Sequence, residues 1–273
     1  MEKFSVLLSV YKKENPEYLK VALKSILNQT IRPSEIVVVK DGPLTEELEC
    51  VLNSFYEKNK LIFNVVELKE NRGLGVALAK GVENCKFELV ARMDTDDICE
   101  VDRFEKQLNI LQANKDIGIV GSYIKEFDGD IDNIISQRIV PIENKDIKRY
   151  ARKRNPFNHM TVMYRKQAVL ESGNYSEFLW NEDYHLWVRM IQYGVKCYNI
   201  PEFLVYARTG DDMFKRRGGI KYALKDIELQ KYFYSIEFIK LNEFIINIIS
   251  RTTVRLLPNN LRKSIYKKFL RHD

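Results

Sequence analysis

The sequence predicts an α/β fold in which a mostly parallel central sheet is flanked by helices and followed by a C-terminal helical extension. Three observations carry this reading. Two short runs rich in strand formers, Phe4–Val10 and residues 35–39, enclose a segment in which Leu19, Ala22, Leu23, Ile26 and Leu27 recur at helical spacing. The runs are apolar almost throughout rather than alternating, as strands covered on both faces are. The length of 273 residues, with 45% hydrophobic and 30% charged, gives room for one large folded domain or two small ones.

Taken in order, Pro16 stands where the first helical turn begins, and Pro33 closes that segment before the second strand. A third strand over 63–68 runs into Asn71-Arg72-Gly73-Leu74-Gly75 and a short helix over 76–81. A fourth over 87–91 leads to Arg92-Met93-Asp94-Thr95-Asp96-Asp97. A helix over 103–114, a strand over 118–127 and a turn at 128–130 follow. Residues 145–154 read as helix or loop, 160–164 as strand, and 182–193 as a helix that opens with acids, which suits its dipole. Periodicity breaks over 208–219 and turns helical from 220 onward. The expected division is therefore 1–219 and 220–273.

Charge is segregated. From Arg251 onward there are seven basic residues and one acidic, and the rest of the chain holds 37 of each sign, so the whole excess of +6 lies in the tail. A globular surface that binds nucleic acid is not indicated by this balance. On an ideal helix Leu261, Ile265, Tyr266, Phe269 and Leu270 share one half, while Lys263, Lys267, Lys268 and Arg271 share the other. A basic amphipathic end on a neutral body suits an anionic membrane surface, and packing on the protein itself or on a second subunit is the competing expectation. Cys50, Cys85, Cys99 and Cys197 lie far apart and read as reduced thiols, without a disulfide framework or zinc pattern. No apolar run is long enough to span a bilayer and the N-terminus lacks a convincing leader, so a cytoplasmic protein is expected.

In a parallel α/β sheet ligands gather at the carboxyl ends of the strands. Here those ends deliver Tyr11, Asp41, Arg72 and an acidic cluster. Asp94 and Asp96, two positions apart in a turn, suit Mg²⁺ or Mn²⁺, which take oxygen ligands and leave room for phosphates. Read alone, the same pair also fits a solvated acidic turn or the start of the next helix. Gly73 and Gly75 fall short of a dinucleotide fingerprint, so a nicotinamide cofactor is not supported.

The order Ser9-Val10-Tyr11, Gln29-Thr30-x-x-Pro33, Asp41-Gly42, Asn71 to Gly75 and Asp94-x-Asp96-Asp97, with Asn181-Glu182-Asp183-Tyr184 and Leu186-Trp187-x-Arg189 further on, resembles the family 2 nucleotide-sugar glycosyltransferases. Asn155-Pro156, His159 and 206–219 are similar in particular to the branch that builds bacterial capsule and exopolysaccharide. The resemblance implies a GT-A fold and an inverting, metal-dependent transfer of a hexose, with galactose mildly preferred, from a UDP-sugar to a glycan hydroxyl. It also implies the roles. Val10, Tyr11, Asp41, Arg72, Asp94 and Asp96 would bind nucleotide, with Asp94 and Asp96 also holding Mn²⁺ or Mg²⁺. Asp183 would be the base, and Glu182 beside it would orient acceptor or loop, though two adjacent carboxylates can exchange these parts.

Arg208, Arg216 and Arg217 either close over the diphosphate or form a solvated cluster, since guanidinium groups pair well with phosphate. His159 either touches acceptor or metal or is structural, and Trp180 either walls a sugar ring or packs in the core. The expected partners are a UDP-sugar, a lipid-linked glycan and, through the tail, the inner face of the plasma membrane. A non-catalytic nucleotide- or glycan-binding module and a sugar-phosphate nucleotidyltransferase remain alternatives at this level.

Overall fold

The computed structural model describes residues 2–209, 218–258 and 261. Strand β1 (Phe4–Val10) is followed by α1 (Pro16–Leu27), β2 (Glu35–Lys40), α2 (Glu46–Lys58), β3 (Phe63–Glu67), α3 (Leu74–Asn84) and β4 (Leu89–Arg92). Then come β5 (Ile98–Cys99), α4 (Arg103–Ala113), β6 (Ile117–Phe127), β7 (Ile134–Arg138), α5 (Asn144–Ala151) and a 3₁₀ turn at His159–Thr161. The chain continues through β8 (Met163–Arg165), α6 (Lys166–Glu171), α7 (Glu182–Gln192) and β9 (Lys196–Arg208) to α8 (Ile220–Ser235) and α9 (Leu241–Leu256).

The strands form one sheet in the order β3-β2-β1-β4-β8-β6-β9-β5, with β7 beside β6. The first four are mutually parallel. Beyond β4 the sheet is mixed: β8 runs antiparallel to β4 and β6, β9 lies parallel to β6, and β5 and β7 pair antiparallel at the far side. The parallel portion follows from the helical crossovers read in the sequence, because parallel neighbours need such connections.

Alternation on the strands fills two cores. Phe4, Val6, Leu8 and Val10 of β1, with Ile36 and Val38 of β2, pack against α1, α2 and α4. Leu7, Val37 and Val39 point to the other face, where Ala77, Leu78 and Val82 of α3 meet Val169, Leu186 and Trp187. A third cluster, Tyr184 and Val188 of α7 with Leu229 and Phe233 of α8, fastens the C-terminal helices to the sheet domain. Helix α1 starts where Asn15 accepts the amide hydrogens of Glu17 and Tyr18, with Pro16 in its first turn. All four cysteines are unpaired. Among the described residues no helix is long and apolar enough to cross a membrane.

Candidate active site

Leaving β4, the chain turns through Asp94, Thr95, Asp96 and Asp97 before β5. Oxygens of Asp94, Asp96 and Asp97 lie within 4.8 Å of one another. The loop is fixed from two sides. The Arg208 amide donates to Asp97 Oδ1 at 2.8 Å and its Nε to the Asp96 carbonyl at 3.2 Å. The Arg208 guanidinium itself lies over the rings of Tyr18 and Phe127, 3.9 and 4.4 Å from their centroids. Burial, with Asp94 adding like charge, pushes Asp96 up to about 6. Burial and the two neighbouring carboxylates hold Asp97 well above the ordinary range. Asp97 Oδ2 is buried without a hydrogen-bond partner among the described residues. Three crowded carboxylates with an unused oxygen form a hard, all-oxygen donor set, which fits a divalent cation of the Mg²⁺ or Mn²⁺ type.

Arg92, the last residue of β4, is only 1% exposed and is ion-paired with Asp94. Burial opposes its charge, but Asp94 overrides this and holds the guanidinium protonated. Its backbone is pinned: the amide donates to Val162 at 2.8 Å, and Arg103 donates to its carbonyl at 2.7 Å. The charge of the same guanidinium also acts on Glu182, Asp183 and His159. Sequence reasoning passed over Arg92. The available signal was a basic residue ending a strand otherwise wholly apolar.

Glu182 and Asp183 form the first turn of α7, close against the first turn of α3. Gly75 permits this approach, since a Cβ there would collide with the Ser176 carbonyl and stand 3.2 Å from Glu182 Cβ. Asp183 Oδ2 accepts from Asn155 Nδ2 at 2.6 Å, and Oδ1 accepts the Tyr184 amide at 2.6 Å. Asn155 is itself held through its carbonyl by Arg138, at 2.8 Å. Burial, with the charge of Asp183 beside it, pushes Glu182 up to about 7. Burial also raises Asp183, against the pull of the Tyr184 amide, Asn155, Arg138 and Arg92. The pair is thus a second set of carboxylates with elevated proton affinity, near enough for Glu182 to feel the charges of both Arg92 and Asp94.

At the end of β2, Asp41 organises the neighbouring loop. Its Oδ1 accepts the Arg72 amide at 2.7 Å, and its Oδ2 accepts the Gly73 amide at 3.0 Å and Asn71 Nδ2 at 2.9 Å. Oδ1, with one donor, keeps capacity for another. The Asp41 amide donates to the Val10 carbonyl at 2.8 Å, so β1 and β2 deliver Val10, Tyr11 and Asp41 to one place. The Arg72 side chain is half exposed and projects beside Glu70.

The remaining candidates separate. His159 Nε2 pairs with the Tyr175 hydroxyl at 3.0 Å, and its ring lies against Trp187. Burial first, then Arg92, keeps this imidazole neutral. It is not among the clustered carboxylates that fit a cation. Trp180 stacks on Tyr222 at 5.0 Å yet remains 43% exposed, and its backbone has φ of 67° directly before Asn181-Glu182-Asp183. A tryptophan in that left-handed region is strained, and such strain is concentrated at functional turns. Arg208 is committed to the acidic loop and to the Gly129 carbonyl at 2.9 Å. Arg216, Arg217 and the amphipathic segment after Leu261 lie outside the described residues.

Residues 5–173 match the family model described as glycosyl transferase family 2. An Escherichia coli protein named UDP-Gal:alpha-D-GlcNAc-diphosphoundecaprenol beta-1,3-galactosyltransferase is 40% identical over 98% of this chain and 97% of its own length. The amylovoran biosynthesis glycosyltransferase AmsE of Erwinia amylovora is 38% identical over 97% and 98%. Among solved structures, a mannosyltransferase of Pyrobaculum calidifontis in complex with GDP-Man and Mn²⁺ superposes with a TM-score of 0.64 at 16% identity, covering 92% of this chain and 69% of that one. At that identity the likeness concerns the GT-A fold alone.

Proposed function

The chain belongs to glycosyl transferase family 2, and from that membership we propose that it moves a hexose, galactose by preference, from a UDP-sugar to a hydroxyl of a lipid-linked glycan. The reaction would invert the anomeric centre and belong to capsule or exopolysaccharide synthesis at the cytoplasmic face of the membrane. The observation that carries this reading is the convergence of two carboxylate sets, Asp94-Asp96-Asp97 and Glu182-Asp183, on one buried cation, Arg92. The names of the E. coli and Erwinia relatives favour a UDP-galactose donor, a diphospholipid-linked acceptor and an exopolysaccharide product.

The division of labour follows from position. Val10, Tyr11 and Asp41 border the pocket expected for the base, with the free acceptor capacity of Asp41 Oδ1 available to an imide N–H. Arg72 offers a planar cation at the nucleotide. Asp94, Asp96 and Asp97 would hold Mn²⁺ or Mg²⁺, which when bound supplies positive charge against the leaving diphosphate. Asp183 takes the proton of the acceptor hydroxyl. Its carboxylate is aimed by Asn155 and the Tyr184 amide, and its raised pKa makes it a stronger base. Glu182 beside it orients the acceptor, and exposed Trp180 gives a sugar ring an aromatic wall.

The test is calorimetric titration of the full chain with UDP, with and without Mn²⁺, followed by a panel of UDP-sugars. Metal-dependent UDP binding and turnover with one UDP-hexose are expected. Absence of UDP binding under both conditions would overturn the reading.

A further inference from the structure

Helix α9 is built inside out. Apart from Phe244, which packs against the third apolar cluster, its inward face is polar and ionic at four-residue spacing. Glu243 pairs with Arg152 at 2.5 Å, and Asn247 donates to Gln230 and to the Arg152 carbonyl, both at 2.8 Å. Arg251 and Arg255 both reach buried Asp226, at 3.2 and 2.7 Å, and Arg251 also donates to the Lys153 carbonyl at 2.9 Å. The outward face is aliphatic: Leu241, Ile245, Ile246, Ile249 and Leu256 are each between 48% and 61% exposed. The other exposed positions of the helix are Asn242, Ser250 and Thr253, so the whole outer stripe carries no charge. Surface helices normally show the reverse, with charge outward, and a continuous apolar patch marks a contact surface.

Charge selects the occupant. Two of the seven basic residues of the tail, Arg251 and Arg255, are consumed internally by Asp226. Directly after Pro258 the sequence carries Arg262, Lys263, Lys267, Lys268 and Arg271 against a single acid, Asp273. An uncharged aliphatic stripe followed in sequence by a strongly basic segment complements a bilayer with anionic headgroups, where apolar side chains enter and cations stay at the surface. A second copy fits less well. A stripe about 24 Å long and roughly 10 Å wide falls far short of the ~800 Å² per partner of a stable interface.

We propose that the outer face of α9 is the membrane-seating surface of this protein, inserted into the interface of an anionic bilayer. This rests on the transferase reading and deepens it by naming how the site meets a lipid-linked acceptor. The inward face of the helix grips residues 152 and 153, and Asn155, two residues on, holds Asp183.

The experiment is co-sedimentation of the full chain with phosphatidylcholine vesicles, with and without about 30% phosphatidylglycerol. The wild type is compared with the Ile245→Gln/Ile249→Gln variant. The wild type is expected to sediment with the anionic vesicles, and the variant to lose about tenfold or more in partitioning while keeping its melting temperature and UDP binding. Equal sedimentation of both proteins would overturn the proposal. So would a wild-type dimer that the substitutions convert to monomer, or a lowered melting temperature with unchanged vesicle binding, which would mean that the tail covers the stripe. The readout requires no turnover, so its failure is distinct from a failure of the transferase reading.

Discussion

In the proposed mechanism Asp183 is the base and Arg92 the charge that steadies it. In Asp183→Asn the amide keeps the shape and the contact with Asn155 but cannot take a proton. Transfer is expected to fall by about 10²–10⁴-fold, with UDP affinity within about twofold as read by calorimetry. Equal loss of both would contradict the assignment. The pH profile has a definite sign. Glu182, raised to about 7, and Asp183, also raised, both hold a proton more tightly than an ordinary carboxylate, and a protonated base is inactive. The rate should therefore climb with pH as Asp183 loses its proton, at a higher pH than an ordinary aspartate would. Coupling between neighbouring carboxylates is mutual, so Glu182→Gln should move that rise to lower pH. A rise in rate at the same pH in Glu182→Gln as in the wild type would argue against this pair acting together.

Arg92 is the residue that sequence reasoning overlooked. Its role depends on Asp94, two residues on, and on Glu182, about ninety residues on, which only the folded chain brings near it. Arg92 is buried but its partner Asp94 is 30% exposed, so Arg92→Met, which leaves a partly solvated carboxylate unpaired, is expected to cost roughly 1–3 kcal/mol of stability. Urea unfolding measures this. A midpoint equal to wild type would show that the ion pair with Asp94 has no structural weight.

Among the elements, legibility tracks periodicity. Strand β1 and the start of α7 coincide with the sequence reading, and α1 and β2 lie within a residue or two, because each combines a clean apolar pattern with a defined boundary residue. Helix α2 went unread although Leu48 and Leu52 are buried, because its surrounding acids and lysines dilute the signal. Strand β9 also went unread, because Pro201 and Glu202 interrupt it, and its register against β6 shifts in this region. The turn after β2 is legible for a backbone reason. Gly42 has φ of 82°, and a Cβ there would stand 2.6 Å from the Asn71 nitrogen. Gly42→Ala should therefore destabilise the fold by more than about 1 kcal/mol and weaken UDP binding by displacing the loop that Asp41 holds. Unchanged melting and binding would show that the 41–42 turn and the 71–73 loop are not coupled.

At the scale of the whole molecule, the sheet joins two regimes. Its parallel portion, read from the crossovers, brings Val10, Tyr11, Asp41 and the acidic loop to one edge. Its mixed portion places Asn155 and the start of α7 opposite them, and that juxtaposition was not legible, since antiparallel insertion of β8 leaves no local pattern. The candidate site residues were thus read one by one from motif order, and their connection through Arg92 and Asn155 came only with the fold. The central claim is an inverting displacement with one base opposite the leaving diphosphate, and the anomeric configuration of the product tests it most directly. With UDP-α-galactose and a diphospholipid-linked glycan acceptor, proton NMR of the initial product should show a β-linkage that does not form in Asp183→Asn. An α-linked product, or a β-product formed equally well by the variant, would contradict the account.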